Sequence, residues 1–261
     1  MKKWIVVLLA ALLLWGCAKE PAPTEPTLPP SPYTAEDYRF EDGFLTCTAG
    51  ETVLGVDVSS HQQAIDWQQV AAAGVKFAFV RLGNRGYESG KLSADTYAMA
   101  NLTGAREAGL LVGAYLFSQA ISVEEAAEEA AFALQVLDGF RLDLPLVYDW
   151  EYVSETERTA KMDKRTLTDC TLTFCRAAED AGYESMIYFN SYQATELLYL
   201  NELEVYPWWL AMYDISMEFP CRADMWQYTK TGSVPGIMWE ADVNLMFTDY
   251  GLGQAVFGEA E

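Results

Sequence analysis

The sequence predicts an α/β fold, an irregular (β/α)8-like barrel in a single globular domain. Three observations carry this expectation. From Thr52 onward, short apolar runs alternate with stretches of helical spacing. About eight such runs occur, enough for a parallel sheet to close on itself. Polar and aromatic residues gather at the ends of the runs, where a barrel builds its sites. The 261 residues are 51% hydrophobic and 13% aromatic, sufficient for one sizeable core. An open doubly wound sheet is the competing arrangement. The first run, however, continues as G-V-D-V-S-S-H, which is not the G-x-G-x-x-G phosphate fingerprint.

The N-terminus reads as a targeting segment. Lys2 and Lys3 precede an apolar stretch from Trp4 to Trp15, too short to span a bilayer comfortably. Leu14, Gly16 and Cys17 resemble a bacterial lipobox, with Trp15 departing where a small residue is usual. Residues 1–16 are thus expected to be a lipoprotein signal peptide, with Cys17 lipidated and the protein tethered to the outer face of a membrane. An ordinary secretory signal is the alternative. Residues 17–50 comprise that cysteine, a linker rich in proline (Pro21, Pro23, Pro26, Pro29, Pro30, Pro32) and an N-terminal extension. Such a linker is an extended, semi-rigid spacer. The stretch from Tyr33 to Gly50 has no legible element. The barrel occupies residues 51–250, and 251–261 form a C-terminal tail.

Within the barrel, Val53 to Val58 is the first strand, ending at Asp57. Asp66 caps a helix that Gly74 stops. Phe77 to Leu82 is a strand, Asp95 to Ala108 a helix, and Leu111 to Phe117 a strand carrying Tyr115. Ser122 caps the next helix, with Glu124 and Glu125 in the first turn, where the helix dipole favours negative charge. A strand from Leu146 follows, then a helix from Lys164 to Ala181, a strand from Ser185 to Asn190 and a short helix from Gln193 to Leu200. Trp208 to Tyr213, Met225 to Tyr228 and Ala241 to Phe247 are strand-like, without convincing helices between them.

Composition excludes some functions. A formal net charge of -21 suits neither nucleic acid, whose phosphates need a basic face, nor unanchored binding to anionic lipid. His61 is the sole histidine, so a zinc centre of the usual kinds is not expected, and neither is any cofactor. A metal-dependent hydrolase is correspondingly disfavoured. Cys47, Cys170, Cys175 and Cys221 permit three pairings; buried free thiols are the default.

The chemistry points to L-P-L-V-Y-D-W-E-Y, Leu144 to Tyr152. In an extended chain residues i and i+2 share a face. Asp149 and Glu151 therefore point together, their Cα atoms roughly 6–7 Å apart, and Trp150 points away. Neighbouring carboxylates at a buried strand end repel, so one keeps its proton to higher pH and can act as a general acid. Asp57, Arg81, Tyr115, Tyr188, Asn190, Tyr213, Gln227 and Asp242 fall at other strand ends or in late strands. Trp208, Trp209, Trp226, Tyr228 and Trp239 add aromatic faces. Rings beside carboxylates and amides suit a sugar, whose C–H faces stack while its hydroxyls need polar partners.

These residues also carry a resemblance. G-V-D-V-S-S-H-Q (55–62) with I-D-W (65–67), G-A-Y-L-F (113–117), V-Y-D-W-E (147–151), W-W-L-A-M-Y (208–213), W-Q-Y (226–228) and V-P-G-I…A-D-V-N-L (234–245) occur in the order seen in glycoside hydrolase family 25 lysozymes, the N,O-diacetylmuramidases. Leu116 stands where that family often has His. The resemblance implies an irregular β/α barrel that cuts the β-1,4 bond between N-acetylmuramic acid and N-acetylglucosamine in peptidoglycan glycan strands. It implies Glu151 as general acid, Asp149 as partner carboxylate, and Asp57 and Asp242 as the other two site acids. On this reading Asp57 assists catalysis, and Asp149 is ionised and either stabilises an oxocarbenium-like centre or orients the substrate's N-acetyl group in a substrate-assisted route. Substrate is held by Asp242, Tyr115, Tyr188, Trp209, Tyr213, Gln227 and Arg81. A non-catalytic glycan-binding lipoprotein on the same barrel is the alternative.

Overall fold

A computed structural model of the protein describes residues 28–213 and 219–258. Cys17 and the signal segment lie outside the described residues. The elements follow in chain order. A hairpin of β1 (Tyr38–Glu41) and β2 (Phe44–Cys47) precedes β3 (Thr52–Val58), α1 (Trp67–Ala72), β4 (Phe77–Arg85), β5 (Leu92–Ala94) and α2 (Ala98–Glu107). Next come β6 (Leu111–Ser118), α3 (Val123–Leu137), β7 (Leu146–Trp150), α4 (Lys164–Asp180) and β8 (Ser185–Asn190). The chain ends with β9 (Trp208–Ala211), β10 (Met225–Gly232), β11 (Ala241–Phe247) and α5 (Gly251–Phe257).

Strands β3, β4, β6, β7, β8, β9, β10 and β11 pair in that order, and β11 pairs back with β3 to close the barrel. β5 adds to the edge of β4 beyond the closed ring. The neighbours from β3 round to β10 are parallel; β11 is antiparallel to both β10 and β3. The irregularity has a local cause. β10 and β11 are joined by a short turn through Pro235 and Gly236 (φ +93°), which leaves no room for a crossover helix. Because β11 runs backwards, its first residues lie at the end where the parallel strands finish.

The helices form where capping and spacing agree. In α3, Ser122 Oγ accepts from Glu125 N–H, and Asp138 (φ +45°) leaves the helix in the left-handed region. In α4, Asp163 accepts from the N–H groups of Arg165 and Thr166. Leu167, Cys170, Thr171, Phe174, Cys175 and Ala178 form its buried stripe. The helix expected from Asp95 starts at Ala98 instead, because Asp95 spends its carboxylate on Tyr97 N–H, Ser60 N–H and Arg81. The helix expected from Gln193 to Leu200 divides into a π turn (Gln193–Leu197) and a 3-10 turn (Leu200–Glu202).

The core has two layers, as alternation along the strands requires. Phe77, Phe79, Val147, Met186, Trp209, Met225 and Met246 fill the barrel, and α5 lays Leu252 across its floor. Trp150, Trp208, Trp226 and Tyr228 face outward. They are packing residues, contrary to the reading of Trp208, Trp226 and Tyr228 as sugar platforms. Leu116 likewise points into the outer layer, so its departure from the family pattern touches no substrate surface. No helix follows β10 to cover Trp226, and the β1–β2 hairpin does so instead. Tyr38 meets Trp226 edge-on at 5.0 Å, and Tyr228 OH accepts from Leu45 N–H. The chain reaches the hairpin along the barrel floor. There Arg222 N–H donates to Pro29 O, and Tyr33 stacks on Phe247 at 5.2 Å. Cys47, Cys170, Cys175 and Cys221 are all free. Among the described residues no helix is long and apolar enough to cross a membrane.

Candidate active site

A cavity of about 290 Å³ opens where the parallel strands end. Asp57, Arg81, Tyr115, Asp149, Glu151, Tyr188, Trp209, Tyr213, Gln227 and Asp242 all line it. The strands explain the convergence. Asp57 closes β3 and is the register partner of Asp242 at the start of β11. Asp149 on β7 pairs with Tyr188 on β8, and Tyr188 with Trp209 on β9. Asp149 and Glu151 reach the same cavity, while Trp150 is buried outside and donates through Nε1 to Ala120 O at 2.9 Å. Asn190 stays out of the cavity; its Oδ1 accepts from Gln193 N–H in the turn after β8.

Two relays of hydrogen bonds end on Asp57. Tyr188 OH (2.9 Å) and Tyr213 OH (3.0 Å) donate to Gln227 Oε1, and Gln227 Nε2 donates to Asp57 Oδ2 at 2.8 Å. Trp209 Nε1 donates to Asn244 Oδ1 at 2.8 Å, and Asn244 Nδ2 donates to Asp57 Oδ2 at 2.8 Å. With each amide oxygen occupied by a donor, both amide nitrogens point at Asp57. Burial raises the pKa of Asp57, and these donors oppose it. Burial prevails and the Asp57 carboxyl stays above its ordinary range, but the two amide donors hold it back.

The other three acids are pushed towards their neutral forms. Burial, the charge of Asp57 and a hydrogen bond to it raise Asp242 to about 9. Burial and Asp57 raise Glu151 to about 7, against the opposing charge of Lys230. Asp149 is raised well above its ordinary range, first by burial, then by Glu151 and Asp57, with Arg81 opposing. Its Oδ1 is buried without a hydrogen-bond partner. The electrostatics thus differ from the expectation of an ionised Asp149 beside a protonated Glu151. Of the four acids, Asp57 is the one that receives two amide donors, which favour its charged form.

Arg81 works at one remove from the cavity centre. Its Nε donates to Asp95 Oδ2 at 3.0 Å and its Nη2 to Ser60 Oγ at 3.2 Å, pinning the Ser59–Gln62 turn at the rim. Ser59, His61, Gln62, Phe117 and Lys230 also line the cavity and were not expected there. Asn244 was missed too. Its place two residues after Asp242 on one strand was an available signal. Lys230 had none. Alternation from Gln227 would turn it outward, but register shifts in β10 re-aim it.

The model of glycosyl hydrolases family 25 matches residues 56–237. The chain belongs to glycosyl hydrolase family 25. As a family 25 member it is a glycoside hydrolase. It is 32% identical over 213 residues to the uncharacterized protein YegX of Escherichia coli K12, covering 76% of this chain and 70% of that one. Lysozyme M1 of Streptomyces globisporus is 27% identical over 282 residues, covering 92% of this chain and 89% of that one. Among solved structures, the modular autolysin LytC of Streptococcus pneumoniae superposes with a TM-score of 0.67 at 23% identity. That match covers 80% of this chain and 52% of LytC, so the present chain spans about half of the modular protein. At that identity the likeness concerns the family 25 fold.

Proposed function

We propose that this protein is a muramidase that hydrolyses the β-1,4 bond between N-acetylmuramic acid and N-acetylglucosamine in peptidoglycan. Glu151 is the general acid, and Asp149 is the carboxylate that assists the substrate's own acetamido group. One observation carries the reading above others: Asp149 lines the sugar-sized cavity, and its buried Oδ1 has no hydrogen-bond partner. A buried acceptor without a donor is costly. An acetamido N–H is a donor of the right kind. Donated to Oδ1, it supplies the missing hydrogen bond and draws the pKa of Asp149 back down, so that the group is ionised when needed.

In this mechanism Glu151 gives its proton to the glycosidic oxygen as the bond to C1 breaks. The acetamido carbonyl oxygen attacks C1, and Asp149 stabilises the positive charge that spreads onto the acetamido nitrogen. Water then opens the ring intermediate, with the Glu151 carboxylate taking its proton. Asp57 keeps Glu151 protonated near neutrality. Asp242, Tyr115, Tyr188, Trp209, Tyr213 and Gln227 shape the sugar seat, and Arg81 holds its rim. Relatives named as lysozyme and autolysin support the substrate class. The test is mass spectrometry of muropeptides released from purified sacculi. The wild type should release fragments with new N-acetylmuramic acid reducing ends, and Glu151→Gln none. Wild-type release by Glu151→Gln, or binding without new reducing ends, overturns the proposal.

The location belongs to the same reading. Lipidation of Cys17 places the enzyme on the outer face of the membrane. Labelling with a fatty-acid probe should mark the wild type and not Cys17→Ala.

A further inference from the structure

Glu151 follows the last ladder residue of β7, since Trp150 is the register partner of Ser118. Beyond that point side chains, not a neighbouring strand, hold the backbone. Gln193 Nε2 donates to Trp150 O, and Gln119 Nε2 donates to Glu151 O at 2.6 Å. Gln119 is fully buried and lies outside the catalytic cavity.

Every polar group of Gln119 is fixed. Its Nε2 also donates to Ser118 O at 2.9 Å, and its Oε1 accepts from Thr159 Oγ1 at 3.4 Å. Its N–H donates to Glu129 Oε1 at 3.3 Å, and its carbonyl accepts from Arg158 Nη1 at 2.9 Å. Glu129 and Arg158 are themselves held by charge. Glu129 is fully buried, pairs with Arg85 at 2.8 Å and accepts from Ser118 Oγ at 2.6 Å. Arg158 pairs with Glu125 at 2.6 Å. A buried ion pair is a poor source of stability, because desolvation offsets most of the attraction. Here Arg85–Glu129 and Arg158–Glu125 sit on either side of one glutamine and define its place.

We propose that Gln119 is a positioning residue for Glu151, framed by these two ion pairs, and that it sets the reach of the catalytic carboxyl into the cavity. The proposal rests on the reading of Glu151 as general acid. Small displacements of a reacting group are expensive: about 1 Å costs on the order of 100-fold in rate.

Gln119→Met keeps the length of the side chain and removes the N–H donor. In a variant with a cooperative melt, kcat should fall about 10- to 100-fold. KM should stay within about twofold, since Gln119 lines no part of the sugar seat. The alkaline limb of the rate profile should move to lower pH as the carboxyl leaves its buried place. Arg158→Met, which removes the donor to the Gln119 carbonyl, should show the same pattern to a smaller degree. It decides the matter if Gln119→Met does not fold. Wild-type kcat and an unmoved limb in the folded variant, or a loss confined to KM, overturn the proposal. Glu151→Gln assayed alongside separates the two readings. If it retains activity, the general-acid assignment has failed; if it is inactive while Gln119→Met is normal, only the positioning role has failed.

Discussion

Asp57 and Asp242 face one another as register partners across the antiparallel β3–β11 pair. Two carboxylates so placed keep one proton between them. Asp57 takes the charge because Gln227 and Asn244 both donate to it, and Asp242 keeps the proton. The pKa of Asp242 rises from the ordinary 3.8 to about 9 on folding. Between those values the folded state binds more protons than the unfolded chain, so this group's contribution to stability falls as pH rises through that window. Asp242→Asn keeps a donor for Asp57 and removes the titration. It should raise the melting temperature at pH 8 and leave it nearly unchanged at pH 4. Equal shifts at both pH values would contradict the shared proton.

The pH–rate profile should report Glu151. With its pKa at about 7, kcat/KM should fall tenfold per pH unit well above that point. Neighbours of opposite sign should move the limb in opposite directions. Asp57→Asn removes a negative charge that raises Glu151, and the limb should shift to lower pH. Lys230→Met removes a positive charge that lowers it, and the limb should shift to higher pH. Wall hydrolysis measured from pH 5 to 9 for the three proteins settles this; limbs that move together would point to another titrating group.

The β1–β2 hairpin should be part of the folded unit. Tyr38 is buried edge-on against Trp226, on the flank of the barrel that no helix covers. Tyr38→Ala removes a large aromatic side chain and should cost about 3 kcal/mol in urea unfolding. The alkaline limb should not move, since Tyr38 lies outside the cavity. A loss under about 0.5 kcal/mol, the range of an ordinary surface change, would mean that the hairpin merely rests on the barrel.

The sequence reading succeeded where one local rule governed the outcome. Alternation alone turns Asp149 and Glu151 inward and Trp150 outward. The same rule applied to W-W would have separated Trp209, inside, from Trp208, outside; counting aromatics without their parity mixed the two. Other features needed partners distant in sequence. The reversal of β11, which brings Asp242 opposite Asp57, depends on a hairpin turn that a run of apolar residues does not announce. Lys230 enters the cavity through a register shift. The ionisation order was not legible either. It depends on Gln227 and Asn244, whose amides are oriented by Tyr188 on β8, Trp209 on β9 and Tyr213 just beyond β9.

The way the chain runs under the barrel has a topographic consequence. Pro29 and Tyr33 are fastened at the floor, and the cavity opens at the opposite pole. With Cys17 acylated as proposed, the tether joins the folded unit at the floor, on the side away from the opening. An anchor attached there leaves the mouth of the barrel unobstructed by its own tether.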